Sequence, residues 1–368
     1  MKLAFLIPNM KHGGAEKVVQ NILNEMLIQK PDFKVHLILA KKEGDLLFHL
    51  NKNIKIIDFK KKHVKNCLFD LIKYLKDEKP DYLISSLDYM NIIASFAHKL
   101  SNSNSKLILW EHSILSIHSK KTISKFIFFN KVLVRVFYNR ANKIIAVSKG
   151  IKKDLIKKFR ISCEKVVVIY NPVYNSKIIL ESNKKEEMIN FKQKYIVALG
   201  RLVKEKNYFN LIESYKKLID LDGVSNLDLV IIGEGPERQN IIRKITELNL
   251  NNNVFLIGYR PNPFPIIKQS LVFVLSSDYE GFGLGIIEAL ALKKQIVSTD
   301  CPTGPREILS GGKFGILVPK NNPVELAKGI QKIINGRIKF NEELLLKRAQ
   351  NFSIKNFFNS FITLFKLN

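Results

Sequence analysis

The 368-residue chain is poor in the features that mark several common protein classes. Its three cysteines, Cys67, Cys163 and Cys301, are scattered and lack metal-ligand spacing, which argues against a disulfide scaffold and a structural zinc site. No run is oily enough to span a bilayer. The longest, FIFFNKVLVRVFY from Phe126 to Tyr138, is interrupted by Asn130, Lys131 and Arg135 and falls well short of the roughly 20 apolar residues required. A zinc finger, an RNP-type aromatic strand and a basic region with heptads are all missing, so nucleic acid is not the expected partner. Without a GxGxxG fingerprint, a dehydrogenase is disfavoured. Acidic residues are scarce, at 33 against 60 Lys plus Arg, giving a formal charge of +27, yet 46% of residues are hydrophobic. That mixture describes a well-cored protein with a basic surface rather than a disordered basic tail.

The length suggests two domains, each with its own core. MKLAFLIPNM ends in a Pro-Asn turn rather than a small-residue cleavage site, so it predicts a first β-strand and not a signal peptide, and the chain reads as cytosolic. Short β-branched runs then alternate with helical periodicity. KLAFLIP, KVHLILA, DYLISS, KLILWEH, NKIIAVS and VVVIYNP are expected strands of a first unit. YIVALG, LDLVIIG, NVFLIG, VFVLSS, QIVST and GILVP repeat the logic in a second. This is the pattern of doubly wound α/β domains with parallel sheets buried on both faces and ligands beyond the carboxyl ends of the strands. The expected boundaries are 1–175 for the first domain, 176–193 for a polar linker, 194–350 for the second domain and 351–368 for an aromatic-rich C-terminal helix that packs back on the body.

Candidate chemistry follows the strand ends. Gly13 and Gly14 can bring backbone amides to an anion at the start of a helix, although a plain turn would use the same residues. After YIVALG, Arg201 and Lys206 put two cations where a diphosphate would lie. VLSSDYEGFGLGIIEALAL places Glu280 at a strand end, a turn through Gly281, Phe282 and Gly283, and Glu288 on the next helix. Amides of such a turn hold phosphate oxygens, and a carboxylate can accept vicinal hydroxyls of a ribose or sugar.

GRLVKEKN at Gly200 to Asn207, the EGFGLGIIEA block and the early GGAE occur together in the order and domains of one family. Over essentially its whole length the chain resembles the retaining glycosyltransferases of family 4, with two Rossmann-like domains facing across a cleft (GT-B architecture). The resemblance implies that Arg201 and Lys206 bind the donor diphosphate and that Glu288 accepts the ribose hydroxyls. It implies that Glu280 and the amides of Gly281, Phe282 and Gly283 contact the transferred sugar and phosphates, with Gly14 reaching the same phosphates when the cleft closes. It matches His112, in ILWEHS, to the family's active-site histidine at the donor sugar, where the bland alternative is a buried or capping histidine. Glu111 could face the acceptor instead. The base is expected near Gly258, Tyr259 and Arg260, with uridine ahead of guanosine. The donor is thus a nucleotide-sugar, and no cofactor and no essential metal are expected, because cations and amides supply the electrostatic stabilisation.

Where many relatives carry a Gly-Gly loop, this chain has CPTGPREIL at Cys301 to Leu309, in which Thr303, Gly304 and Arg306 would shape the sugar or acceptor side and Cys301 would pack. That variant resembles bacterial enzymes extending surface or lipid-linked glycans with hexose or N-acetylhexosamine units. The segment 120–140 puts Lys121, Lys125, Arg135 and Asn139 on one helical side and Phe126, Phe129, Leu133, Val136 and Phe137 on a broad apolar side. It suits an anionic headgroup layer, or an ordinary helix whose oily side is core. The expectation is a transferase peripheral to the cytoplasmic face of the inner membrane, acting on a lipid-linked glycan. A soluble acceptor, a nucleic-acid binder and a silent scaffold are the rivals.

Overall fold

The computed structural model describes residues 1–11, 13–118, 124–184, 194–221 and 226–365, with the side chains of 118 and 124–130 left undescribed. The chain divides into two compact units, one of Met1–Pro172 with Ile354–Asn368 and one of Val173–Ser353.

In the first unit seven strands follow one another along the chain: β1 (Lys2–Ile7), β2 (Lys34–Leu39), β3 (Lys55–Asp58), β4 (Tyr82–Ser86), β5 (Lys106–Glu111), β6 (Lys143–Ala146) and β7 (Val166–Val168). All pairs are parallel, in the order β3-β2-β1-β4-β5-β6-β7. Near-continuous apolar runs such as Leu3–Ile7 and Leu107–Trp110 are buried, as strands covered by helices on both faces must be. β3 lies outside the expected strand set. It is short, sits at the sheet edge and is only half-buried, so its four residues KIID carry little of the apolar signature. The C-terminal Ile354–Ile362 helix closes this unit as expected. Phe357 stacks against Trp110 at 5.5 Å, Phe361 packs on it with its ring tilted at 6.1 Å and lies 6.3 Å from Phe5, and Tyr82 Oη donates to the Phe365 carbonyl at 3.1 Å.

The second unit has six parallel strands, β8 (Lys194–Leu199), β9 (Leu227–Ile232), β10 (Val254–Leu256), β11 (Val272–Leu275), β12 (Gln295–Thr299) and β13 (Ile316–Val318), in the order β10-β9-β8-β11-β12-β13. Its core packs Ile196, Leu229, Ile231, Val274 and Val297 against Leu211, Tyr215, Leu326 and Ile330. Both sheets therefore reverse their strand order beside their first strand, β1 against β4 and β8 against β11, and the crevice at such a reversal is where open α/β sheets take ligands. The expected linker begins with a helix, Lys177–Glu181, whose Ile178 is buried, and Asn262 donates to the Glu181 carbonyl at 3.0 Å. Residues 185–193 of that linker lie outside the described residues. No helix among the described residues is long and apolar enough to cross a membrane.

Of the segment 120–140, Lys121 and the side chains of Lys125, Phe126 and Phe129 fall outside the description. The described end of the Ser124–Tyr138 helix has two faces. Val134, Phe137 and Tyr138 are core, with Phe137 stacked on Phe96 at 3.7 Å, whereas Val132, Arg135 and Val136 are exposed. Phe137 and Val136 thus do not share the single apolar side expected of them, because about 100° separates consecutive helical positions. Asn139 is tied down as well, donating to the Arg135 carbonyl at 2.9 Å and accepting from Ser162 N at 3.0 Å.

Candidate active site

The second unit brings Lys206 and Glu280 together at the β8/β11 reversal. Lys206 and Glu280 are 74 positions apart, yet Lys206 Nζ lies 2.5 Å from Glu280 Oε1, and Ser277 Oγ donates to the same oxygen at 2.6 Å. Two loops are stapled to bring this about. Asp278 N donates to Glu205 O at 2.9 Å, Ser276 Oγ to Lys206 O at 2.8 Å, and Tyr279 Oη to Glu205 Oε1 at 2.9 Å. Asn207, left-handed at φ 45°, caps the Tyr208–Ile219 helix through Asn210 N and donates to Asp278 Oδ1 at 2.8 Å. An ammonium carries three donors, and one of those on Lys206 goes to Glu280. The pair is more than three-quarters buried on both sides, where attraction is screened far less than at the surface.

Gly283 caps the Leu284–Ala291 helix at φ 101°, a conformation that side chains with a Cβ rarely adopt. The start of a helix presents unpaired amides that favour an anion. Beneath it, Thr303 Oγ1 donates to the Glu280 carbonyl. Gly304, at φ 84°, passes so close that an added Cβ would stand 1.8 Å from Phe282 O. The TGPRE segment therefore supports the glycine turn from below. Arg306 holds Asp300 through its Nε at 3.0 and 3.1 Å and is exposed, and Cys301 is buried with its thiol pushed up to about 12 by burial. Glu288 is half-buried on the helix and Arg201 is exposed just beyond β8. Tyr259 and Arg260 follow β10, with Tyr259 exposed and Arg260 Nε buried without a hydrogen-bond partner. Asn207, Ser276, Ser277, Asp278 and Glu205 were not singled out by sequence reasoning. Their signal lay in plain view within KEKN and SSDYE, but their partnerships depend on two distant loops meeting.

In the first unit Gly13 caps the Gly14–Gln29 helix, and the Glu16 side chain folds back over it, so that a Cβ at Gly13 would stand 1.9 Å from Glu16 Oε2. The start of this helix already has a carboxylate beside it. His112 lies just past β5, with Nε2 2.9 Å from Ser86 Oγ and its ring 5.0 Å from that of Trp110, while Nδ1 is buried without a hydrogen-bond partner. Burial pushes the imidazole down to about 3, so it is neutral at physiological pH. Glu111 does not project outward toward an acceptor. It is fully buried and takes hydrogen bonds from Tyr138 Oη at 2.7 Å and from Ser113 N and Oγ at 3.2 and 3.1 Å. Among the described residues no three His, Cys, Asp or Glu side chains are gathered as a metal ion would need.

Two family descriptions cover the chain in tandem, "Glycosyltransferase Family 4" over residues 12–176 and "Glycosyl transferases group 1" over 180–351. The N-acetylgalactosamine-N,N'-diacetylbacillosaminyl-diphospho-undecaprenol 4-alpha-N-acetylgalactosaminyltransferase of Campylobacter jejuni is 31% identical over 90% of both chains. The lipopolysaccharide 1,6-galactosyltransferase of Salmonella typhimurium is 24% identical over 98% of this chain and 97% of its own. Among solved structures, Anabaena HepE in complex with UDP-glucose superposes with a TM-score of 0.81 at 18% identity, over 100% of this chain and 99% of that one. The apo lipopolysaccharide outer core galactosyltransferase WaaB gives 0.73 at 21% identity, over 98% of each. The two parallel sheets, the residues gathered at the β8/β11 reversal and these likenesses converge: the chain belongs to the family 4 glycosyltransferases of the GT-B fold.

Proposed function

We propose that this glycosyltransferase moves a hexose or N-acetylhexosamine from a UDP-sugar to a polyprenyl-diphosphate-linked glycan in bacterial surface-glycan assembly, with retention at the anomeric carbon. The observation that carries the donor assignment is the Lys206–Glu280–Ser277 cluster beside the glycine turn, a cation and a row of amides set against a carboxylate at the sheet's ligand-binding reversal. Lys206 and Arg201 offset charge on the diphosphate, Glu288 takes the ribose hydroxyls, and Tyr259 and Arg260 flank the base. Glu280 orients the transferred sugar, and His112 is assigned a catalytic part in its transfer. In the reaction an acceptor oxygen forms a bond to C1 while the bond from C1 to the β-phosphate oxygen breaks. The acceptor's proton passes to the departing phosphate on the same face, so no protein nucleophile is required. The amides and cations act where negative charge develops, the arrangement that contributes most to such rate enhancement.

The acceptor class is supported by the name of the C. jejuni relative, which specifies a diphospho-undecaprenol glycan. Attachment to an anionic membrane face is supported by exposed Val132 and Val136 flanked by Lys131 and Arg135. The test is turnover of UDP-N-acetylgalactosamine, UDP-N-acetylglucosamine, UDP-galactose and UDP-glucose with an undecaprenyl-diphosphate-linked disaccharide, the product's anomeric configuration being read by NMR. An α-linked product from an α-linked UDP-sugar is expected. A β-linked product overturns retention, and transfer to free oligosaccharide alone overturns the lipid-linked acceptor.

A further inference from the structure

The buried carboxyl of Glu111 has no part in the reaction as proposed, yet its contacts converge on the backbone that carries His112. Oε1 accepts from both the amide and the hydroxyl of Ser113, so residues 111 and 113 are drawn together and His112 projects from the bend between them. Oε2 accepts from Tyr138 Oη at 2.7 Å, at the end of the Ser124–Tyr138 helix. Asn91 Nδ2 lies 3.3 Å from the same hydroxyl and 3.2 Å from Trp110 O, adding the Asp88–Ser101 helix to the set. Glu111, Tyr138 and Asn91 are all fully buried. Asn91 Oδ1 has no hydrogen-bond partner, but both oxygens of the Glu111 carboxyl are engaged, and buried polar groups that find partners favour one arrangement over others. The imidazole itself has few other constraints. Ser86 Oγ meets one nitrogen, the Trp110 ring lies tilted beside it at 5.0 Å, and Nδ1 has no hydrogen-bond partner.

We infer that Glu111 is the positioning residue of His112: its carboxyl group clamps the Glu111–Ser113 bend and, through Tyr138, locks that bend to the Ser124–Tyr138 helix, so that the imidazole is held for the donor sugar. The inference rests on the reading of His112 as an active-site residue. A clamp of this kind acts on the geometry of the reacting complex and not on nucleotide affinity, and a misplacement of about 1 Å is enough to cost on the order of 100-fold in rate.

The experiment measures kcat and donor KM with UDP-N-acetylgalactosamine and an undecaprenyl-diphosphate-linked disaccharide, beside a thermal melt of each variant. Glu111→Leu should lower kcat about 100-fold while donor KM stays within about threefold. Glu111→Gln should restore kcat to within about fivefold, since its carbonyl still accepts from Ser113 and its amide can donate to Tyr138 Oη. If Glu111→Leu does not fold, Ser113→Ala, which deletes only one donor to the clamp, should lower kcat several-fold at unchanged KM. Wild-type kcat in Glu111→Leu, or in Ser113→Ala where the first is unfolded, overturns the inference provided that His112→Ala is impaired. A loss in Glu111→Leu that Glu111→Gln does not relieve also overturns it. Wild-type turnover in His112→Ala instead removes the reading on which the inference rests.

Discussion

The two units share a topology and nearly a length, 187 and 181 residues, but not a charge. The first carries 34 Lys plus Arg against 14 Asp plus Glu, a formal +20, and the second carries 26 against 19, a formal +7. Two of the second unit's cations near its site are matched to partners, Lys206 to Glu280 and Arg306 to Asp300. Much of the first unit's excess lies on solvent-facing helix surface. The Lys149–Phe159 helix buries Ile151, Leu155 and Phe159 and turns Lys149, Lys153, Lys157 and Lys158 outward. On the proposed function, the buried ion pair of the second unit would position the donor, and the exposed lysines of the first would draw the chain to an anionic surface within about a Debye length.

The sharpest way to break this contrast is to remove one charge from the second unit. Lys206→Ala should cut kcat by two to three orders of magnitude with little loss of folding, a loss of roughly 3–4 kcal/mol of transition-state stabilisation. Steady-state turnover beside a thermal melt checks it, and near-normal kcat would mean that the pair is only structural. Removing three charges from the first unit should do the reverse. Lys153→Gln, Lys157→Gln and Lys158→Gln together should weaken binding to anionic vesicles by up to about 3 kcal/mol, at about 1 kcal/mol per cation near the surface. Turnover on a detergent-solubilised acceptor should be unchanged. Vesicle co-sedimentation at several salt concentrations reads this out, and unaltered binding would show that these lysines do not attach the chain to a membrane.

A smaller effect is expected at the turn itself. Gly304→Ala has both an unfavourable φ and the Phe282 carbonyl against it, so it should destabilise the second unit by about 2 kcal/mol and raise donor KM. Titration calorimetry with UDP and a melt separate the two losses.

The smallest expected effect is pH dependence, and it belongs to the first unit. Burial, with the Asp88 carboxylate second, pushes Glu111 up to about 8 from a starting value of 4.5. Its stabilising contribution is therefore complete below pH 4.5 and is lost as pH rises toward 8. Glu111→Gln should lose this slope, so its Tm should gain a few degrees on wild type between pH 5 and 8. His112, pushed down from 6.5 to about 3, works in the opposite sense. Its contribution is present above pH 6.5 and lost as pH falls, and His112→Asn should flatten the melting profile between pH 6.5 and 3. Parallel profiles for variants and wild type would show that neither group is as secluded as the structure places it.

What could be read in advance varied with the range of the interaction. Twelve strands were legible because each is an apolar run bounded by turns, while β3 was not, since a half-buried edge strand of four residues loses the apolar signature. Lys206 and Glu280 were legible as members of family motifs, although their direct contact was not. Glu111 was legible only as a residue that could face an acceptor, and the structure buries it instead. At the end of a strand the choice between core and solvent depends on which helices cover each face, and here Tyr138 and Asn91 close over the carboxyl from helices 27 and 20 positions away.

The sequence by itself determined the alternation of strands and helices, the two-unit plan and the glycine turns at strand ends. Those are local consequences of side-chain period and backbone freedom. Tertiary structure alone decided that Lys206 would meet Glu280 across 74 residues, that Phe137 and Val136 would part between core and solvent, and that a carboxyl beside His112 would be sealed away from water. These are decided by strand order and by which helix lies over which face, long-range matters that no window of sequence contains.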